Sequence, residues 1–229
     1  MKKIATTFAL LALCATSAFA ANSVRISQVY GGGGGSGYYA YDYVELFNNS
    51  GAAVSIGGWS IQYGSATGTS FGSASTNMAV LPAGASIAPC SYYLLQVGGA
   101  GTAGIALPVT ADFVSATGPS MSATSGKVAL ISNAVGANAC SGNTTGGIYV
   151  DVVGYGTGNC FETAAVAALD NASAAVRNGA GITDTDNNSL DFTKVTNPVP
   201  RNSASPANTA CLATPATSNS WGQVKSLYR

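Results

Sequence analysis

Between Val24 and Tyr63 the chain reads VRISQVYGGGGGSGYYAYDYVELFNNSGAAVSIGGWSIQY, and no other stretch limits the fold so tightly. Val24 and Ile26 stand against Arg25 and Ser27. Val44 and Leu46 stand against Tyr43, Glu45 and Phe47. Trp59, Ile61 and Tyr63 form a third apolar stripe. A period of two sends alternate side chains to opposite faces of a strand. Runs this short, broken by Gly31–Gly37, by Asn48-Asn49-Ser50-Gly51 and by Gly57-Gly58, describe antiparallel sheet rather than helix. Each apolar stripe needs a facing layer. The expected fold is therefore all-β, an immunoglobulin-like antiparallel β-sandwich with long loops.

The rest of the chain continues the pattern. Met78–Leu81 runs into the turn Pro82-Ala83-Gly84, and Ser91–Val97, Lys127–Ser132 and Ile148–Tyr155 read as strands. Ala174–Arg177 reads as a short strand. The Ala-rich run Phe161–Leu169 is expected to form one or two helical turns. From Asn202 the chain is rich in Ser, Ala, Pro, Asn and Thr and reads as irregular. It closes on Ser220–Arg229, where Trp221, Val224, Leu227 and Tyr228 recur at helical spacing, as in a short helix docked on a sandwich. A sorting or interaction segment is the alternative.

The first residues carry an address. Lys2 and Lys3 precede the apolar run Phe8–Leu13, and Ala18-Phe19-Ala20 offers small residues where a signal peptidase cuts. The expected organisation is a signal peptide at 1–20, a β-sandwich domain at 21–203 and a tail at 204–229. Localisation is expected to be secreted, either periplasmic or extracellular. Cys14 follows Leu13, where a lipid-attachment site needs a small residue, so lipidation is not the favoured reading. No second long apolar run follows, so no membrane-spanning helix is expected.

Cleavage after Ala20 leaves Cys90, Cys140, Cys160 and Cys211. An even set in an exported chain implies two disulfides. Spacing leaves all three pairings open; the preferred one joins Cys140 to Cys160 and Cys90 to Cys211. Metal binding by these cysteines is disfavoured, because no CxxC spacing is present and the chain has 0 histidines. The 9 basic and 9 acidic residues become a small acidic excess once Lys2 and Lys3 are removed. No basic stripe exists to neutralise phosphates, so direct nucleic-acid binding is not expected.

Several ordered motifs together resemble a known family. Asp42-Tyr43-Val44-Glu45-Leu46-Phe47-Asn48 is followed by Val54-Ser55-Ile56-Gly57-Gly58-Trp59, then Leu81-Pro82-Ala83-Gly84 before Tyr92-Tyr93-Leu94-Leu95. Gly126-Lys127-Val128-Ala129-Leu130 and Asp151-Val152-Val153-Gly154-Tyr155-Gly156 come next. Arg177, Asp184-Thr185-Asp186-Asn187-Asn188, Asp191-Phe192 and Pro198-Val199-Pro200-Arg201-Asn202 complete the order. This succession, over about Val24–Ser203, resembles the lamin-tail domain. The glycine-rich first loop resembles the lamin-tail modules attached to secreted bacterial nucleases and phosphatases. The resemblance implies an immunoglobulin-like sandwich with no catalytic residues of its own. With a short tail after Arg201, it implies a stand-alone accessory or binding module.

The candidate chemistry is sparse. Without histidine there is no Ser–His–Asp site, and no SxxK spacing supports a Ser–Lys pair, so no catalytic residues are assigned. Gly31–Gly37 lacks the Lys-Ser/Thr and helix of a phosphate loop. It reads as a flexible connection, with Tyr38, Tyr39 and Tyr41 either covering the end of the sandwich or offered to an unknown protein or surface partner. Asp184, Asp186 and Asn188 alternate oxygen ligands as a calcium loop does, but without the glycine and terminal glutamate of an EF-hand; a polar turn is the competing reading. No other cofactor is expected. Glu45 is expected to pair with Arg25 across the first two strands. The leading function is a non-enzymatic binding or scaffolding module outside the cytoplasm. The rivals are an accessory module working with an extracellular nucleic-acid- or phosphate-scavenging hydrolase, and a hydrolase with an unrecognised carboxylate site.

Overall fold

The computed structural model describes residues 23–34, 38–72, 75–98, 103–115, 117–137, 142–143 and 148–212. In chain order the strands are β1 Val24–Tyr30, β2 Asp42–Asn48, β3 Val54–Ser55, β4 Ser60–Ser65, β5 Met78–Val80, β6 Ser86–Ile87 and β7 Tyr92–Val97. They continue as β8 Phe113–Val114, β9 Gly126–Ile131, β10 Gly142–Asn143, β11 Tyr149–Tyr155, β12 Cys160–Phe161, β13 Ser173–Arg177 and β14 Phe192–Thr196. A six-stranded sheet has the order β14-β13-β1-β2-β7-β8, and a four-stranded sheet has the order β11-β9-β4-β5. The pairing is antiparallel apart from β7 with β8 and β10 with β12.

The two sheets pack face to face. Val24, Ile26 and Val29 of β1, Val44 and Leu46 of β2, and Leu95 and Val97 of β7 meet Ile61 and Tyr63 of β4, Val128 and Leu130 of β9, and Val153 and Tyr155 of β11 in one core. The alternation in the opening stretch builds this core, but with a slip. The β1–β2 register shifts between Ile26 and Gln28, so one residue of β1 bulges. Val29 therefore rejoins the face of Ile26, and Tyr30 turns outward to pack with Tyr39 and Tyr43. Arg25 lies opposite Phe47, not Glu45. The expected Arg25–Glu45 pair does not form; Arg25 donates to the Ile182 carbonyl at 2.7 Å and meets Asp184 at 3.5 Å.

Two further expectations need correction. Residues 161–169 contain no helix. Val166 instead runs beside β11, donating its N–H to the Gly154 carbonyl and accepting the Gly156 N–H. Val166 and Leu169 are buried in the core, and that burial outweighs the helix preference of the alanines. The edge strand β14 went unrecognised, since its FTKVT run is mostly exposed and shows no apolar stripe.

The outer face of the six-stranded sheet is not left to solvent. Residues 197–212 cross it as a strap. Pro198 accepts the Tyr39 hydroxyl at 2.7 Å, and Val199 accepts the Gln28 amide at 3.0 Å. Ser203 donates its N–H to Asp112 at 3.0 Å, and Asn208 donates its own to Cys90 at 2.8 Å. A disulfide between Cys90 and Cys211 fixes the far end. Cys160 is also disulfide-bonded. Cys140, like the signal peptide expected at 1–20 and the closing segment Ser220–Arg229, lies outside the described residues.

Candidate functional site

Three clusters gather the residues that sequence reading singles out. At one end of the sandwich the tyrosines stack in series. Tyr38 meets Tyr39 edge-on at 4.7 Å, Tyr39 meets Tyr30 at 5.6 Å, and Tyr30 stacks on Tyr43 at 5.3 Å. Tyr39 is buried, and burial pushes its hydroxyl up to about 12. Tyr41 is half-buried, its main chain backed by Gly33. Tyr38 keeps 37% of its surface exposed. Its main chain pairs with Ile105, which is 55% exposed. The loop thus divides: Tyr39 covers the sheet and Tyr38 faces outward.

The second cluster surrounds Arg177 at the end of β13. Its guanidinium meets Asp151 at 2.6 Å and Asp184 at 3.0 Å, approaches Asp191 at 3.8 Å, and donates through Nε to the Ile26 carbonyl at 2.8 Å. Burial alone would lower its pKa, but Asp151, Asp184 and Glu162 outweigh burial and the net shift is upward. Of the expected calcium ligands, Asp184 faces this arginine and Asp186 is exposed in a left-handed conformation at φ 54°. Asn188 is buried inside: its Oδ1 accepts the N–H groups of Gly154 and Glu162, and its Nδ2 donates to Val152 and to Glu162. The Asn188 amide is thus engaged through both its atoms inside the fold. A different set, Glu162, Asp184 and Asp191, brings carboxylate oxygens within 4.8 Å of one another. Burial and then the field of Asp151 push the Glu162 carboxyl up to about 9. A cation there would face Arg177.

Sequence reading passed over Asp151, Glu162 and the central part played by Arg177. A signal was present. Asp151 interrupts the apolar run of β11, and Arg177 closes that of β13. A charge within a buried strand calls for a buried partner.

The third cluster centres on Glu45, which is fully buried on the outer face of β2. Arg201 of the strap gives it a main-chain N–H at 2.6 Å and a guanidinium N–H at 2.7 Å, and stacks on the Tyr92 ring at 3.8 Å. Ser27 and Gln28 donate to the same carboxylate at 2.6 and 3.0 Å. Lys127 is likewise enclosed. Its ammonium donates to the carbonyls of Ser65 and Gly68 and to Asn159.

A two-sheet sandwich with a clad outer face and buried ion pairs defines an immunoglobulin-like β-domain. The chain belongs to the lamin tail domain family, whose model matches residues 17–157, more than half of its 229 residues. Strands β12, β13 and β14 and the strap lie beyond that match. Among solved structures, a DUF4876 family protein from Bacteroides thetaiotaomicron is similar at 13% identity and a TM-score of 0.47, covering 78% of this chain and 72% of that one. A search of curated proteins finds no match. No helix among the described residues is long and apolar enough to cross a membrane.

Proposed function

We propose that this lamin-tail domain is a non-enzymatic binding or scaffolding module that works outside the cytoplasm. The observation that supports it best is where the ionisable groups are engaged. Glu45, Asp151, Arg177 and Lys127 are all buried in contacts that hold strands, loops and strap together. A chemical step needs such groups at a cleft, matched in pKa to the task. The disulfide and the leader-like first residues support an oxidising compartment. The contact surface proposed is the end marked by Tyr38 and Ile105, an exposed aromatic beside an exposed aliphatic on hydrogen-bonded backbone.

The test is capture from the secreted fraction on the immobilised mature chain, beside a Tyr38→Ala/Ile105→Ser variant. Retention of a partner by the parent, lost in the variant, supports the reading. Phosphate-ester or nucleic-acid turnover by the pure parent overturns it. Co-purification of an active hydrolase moves the assignment to an accessory module.

A further inference from the structure

Asp42 stands at the mouth of β2, where two loops meet, and is only 5% exposed. Its Oδ1 accepts the Gly33 N–H at 2.8 Å, and its Oδ2 accepts the Met121 N–H at 2.7 Å. It is the bridge of a seam, with Gly31–Gly34 on one side and Pro119–Ser122 on the other. The seam is tight. A Cβ on Gly31 would strike the Ser122 carbonyl and come within 3.1 Å of Met121 Cβ, and one on Gly33 would strike the main chain at Tyr41 and Asp42. One on Gly98, at the end of β7, would lie 3.5 Å from Asp42 Oδ2.

The groups facing Asp42 are phenols. Tyr30 from β1, Tyr63 from β4 and Tyr155 from β11 each feel its charge, and Asp170 adds a second negative field at Tyr30. No lysine or arginine among the described residues acts on Asp42. An ionised carboxylate here keeps its two N–H donors but loses water and gains no cation. A protonated carboxyl can keep both donors, because its hydroxyl oxygen still carries lone pairs.

We propose that Asp42 is a proton-operated latch: protonated, it holds the seam between Gly31–Gly34 and Pro119–Ser122 shut, and ionised, it drives the seam open to water. Asp42 already keeps 5% of its surface exposed, so a small displacement of either loop wets the carboxylate. Burial, against the pull of the two N–H donors, raises Asp42 to about 7 in the closed form. In the open, wetted form an aspartate returns to about 3.9. Protons therefore bind the closed form more tightly. By linkage, closure is favoured in acid and lost as pH rises through neutrality. This device does not depend on the protein being a binding module.

Amide exchange on the mature protein tests it, with rates corrected for intrinsic base catalysis. Protection at Gly33 and Met121 is expected to fall about tenfold or more between pH 6 and 8.5, while Leu46 and Leu130 hold steady. In Asp42→Asn the fall should disappear. Asparagine has one acceptor oxygen where the carboxyl has two, so a second readout uses the unmodified protein: the carboxyl carbon shift of Asp42 should titrate near neutrality. Flat protection across the range, a fall that persists in Asp42→Asn, or titration near 4 would each overturn the proposal.

Discussion

Arg201 reaches back from the strap to hold Glu45 with both its main-chain N–H and its guanidinium, 156 residues away in sequence. Glu45 is fully buried, whereas the Arg201 side chain is 22% exposed. Losing the arginine leaves an unpaired carboxylate inside the sheet's cladding. Arg201→Ala is expected to destabilise by about 3–5 kcal/mol, and Glu45→Gln by less, since the amide removes the buried charge and the Arg201 side chain it leaves unpaired is 22% exposed to water. Urea unfolding of the two variants checks the order.

The Cys90–Cys211 disulfide spans 121 residues of sequence. Closing so long a loop removes much of the unfolded chain's freedom. Cys211→Ser should lower stability by about 3–5 kcal/mol in an oxidising buffer and by little once the parent is reduced. Denaturation midpoints with and without reductant read the difference.

The glycines separate into packed and free. Gly31→Ala must push against the Ser122 carbonyl, whereas nothing lies within 4 Å of a Cβ at Gly51. The first substitution is expected to lower stability by about 1–3 kcal/mol and the second to leave it nearly unchanged. Paired melting curves distinguish them.

Glu162 makes stability depend on pH. Its folded-state value of about 9 lies above its ordinary 4.5. The stabilisation that follows is full below pH 4.5 and is lost as pH rises through 9. The melting temperature should fall from pH 5 to pH 9, and Glu162→Gln should flatten the alkaline part of that fall. Asp42 contributes in the same direction up to about pH 7.

Asn188 and Asp186 separate a ligand loop from a structural one. Asn188→Ala removes acceptors and donors serving four buried groups and is expected to lose about 2–4 kcal/mol. Asp186→Ala, on the exposed turn, should lose little. Chelator or added calcium should not move the melting temperature of the parent, because the Arg177 guanidinium already occupies the space a cation would share with Asp184 and Asp191. A calcium-dependent rise would restore a cation to the Glu162 set.

The sandwich is legible because β2 and β4 follow a period of two through the core. Val44, Leu46, Ile61 and Tyr63 all face inward as the alternation requires. What escaped is what alternation does not encode. The strand register sets Arg25 opposite Phe47 rather than Glu45, and no residue type marks that register. The partner of Glu45 sits in a segment whose composition reads as irregular, because a strap is held by individual hydrogen bonds rather than by an apolar stripe. Asp184 and Asn188 alternate as ligands do in sequence, yet a single helical turn at Asn188–Asp191 sends Asn188 inward and leaves Asp184 on the arginine.

The position of β13 governs how this chain can assemble during synthesis. β1 is hydrogen-bonded on one side to β2, its near neighbour, and on the other to β13, with Val29 opposite Ala175. As the chain emerges from its N-terminus, the central sheet therefore keeps one bare edge until residue 173 and beyond have been delivered, and the strap that clads it comes later still. The match to the family model ends at residue 157. A fragment cut at that boundary would leave β1 as an open edge, ready to pair with whatever strand it meets.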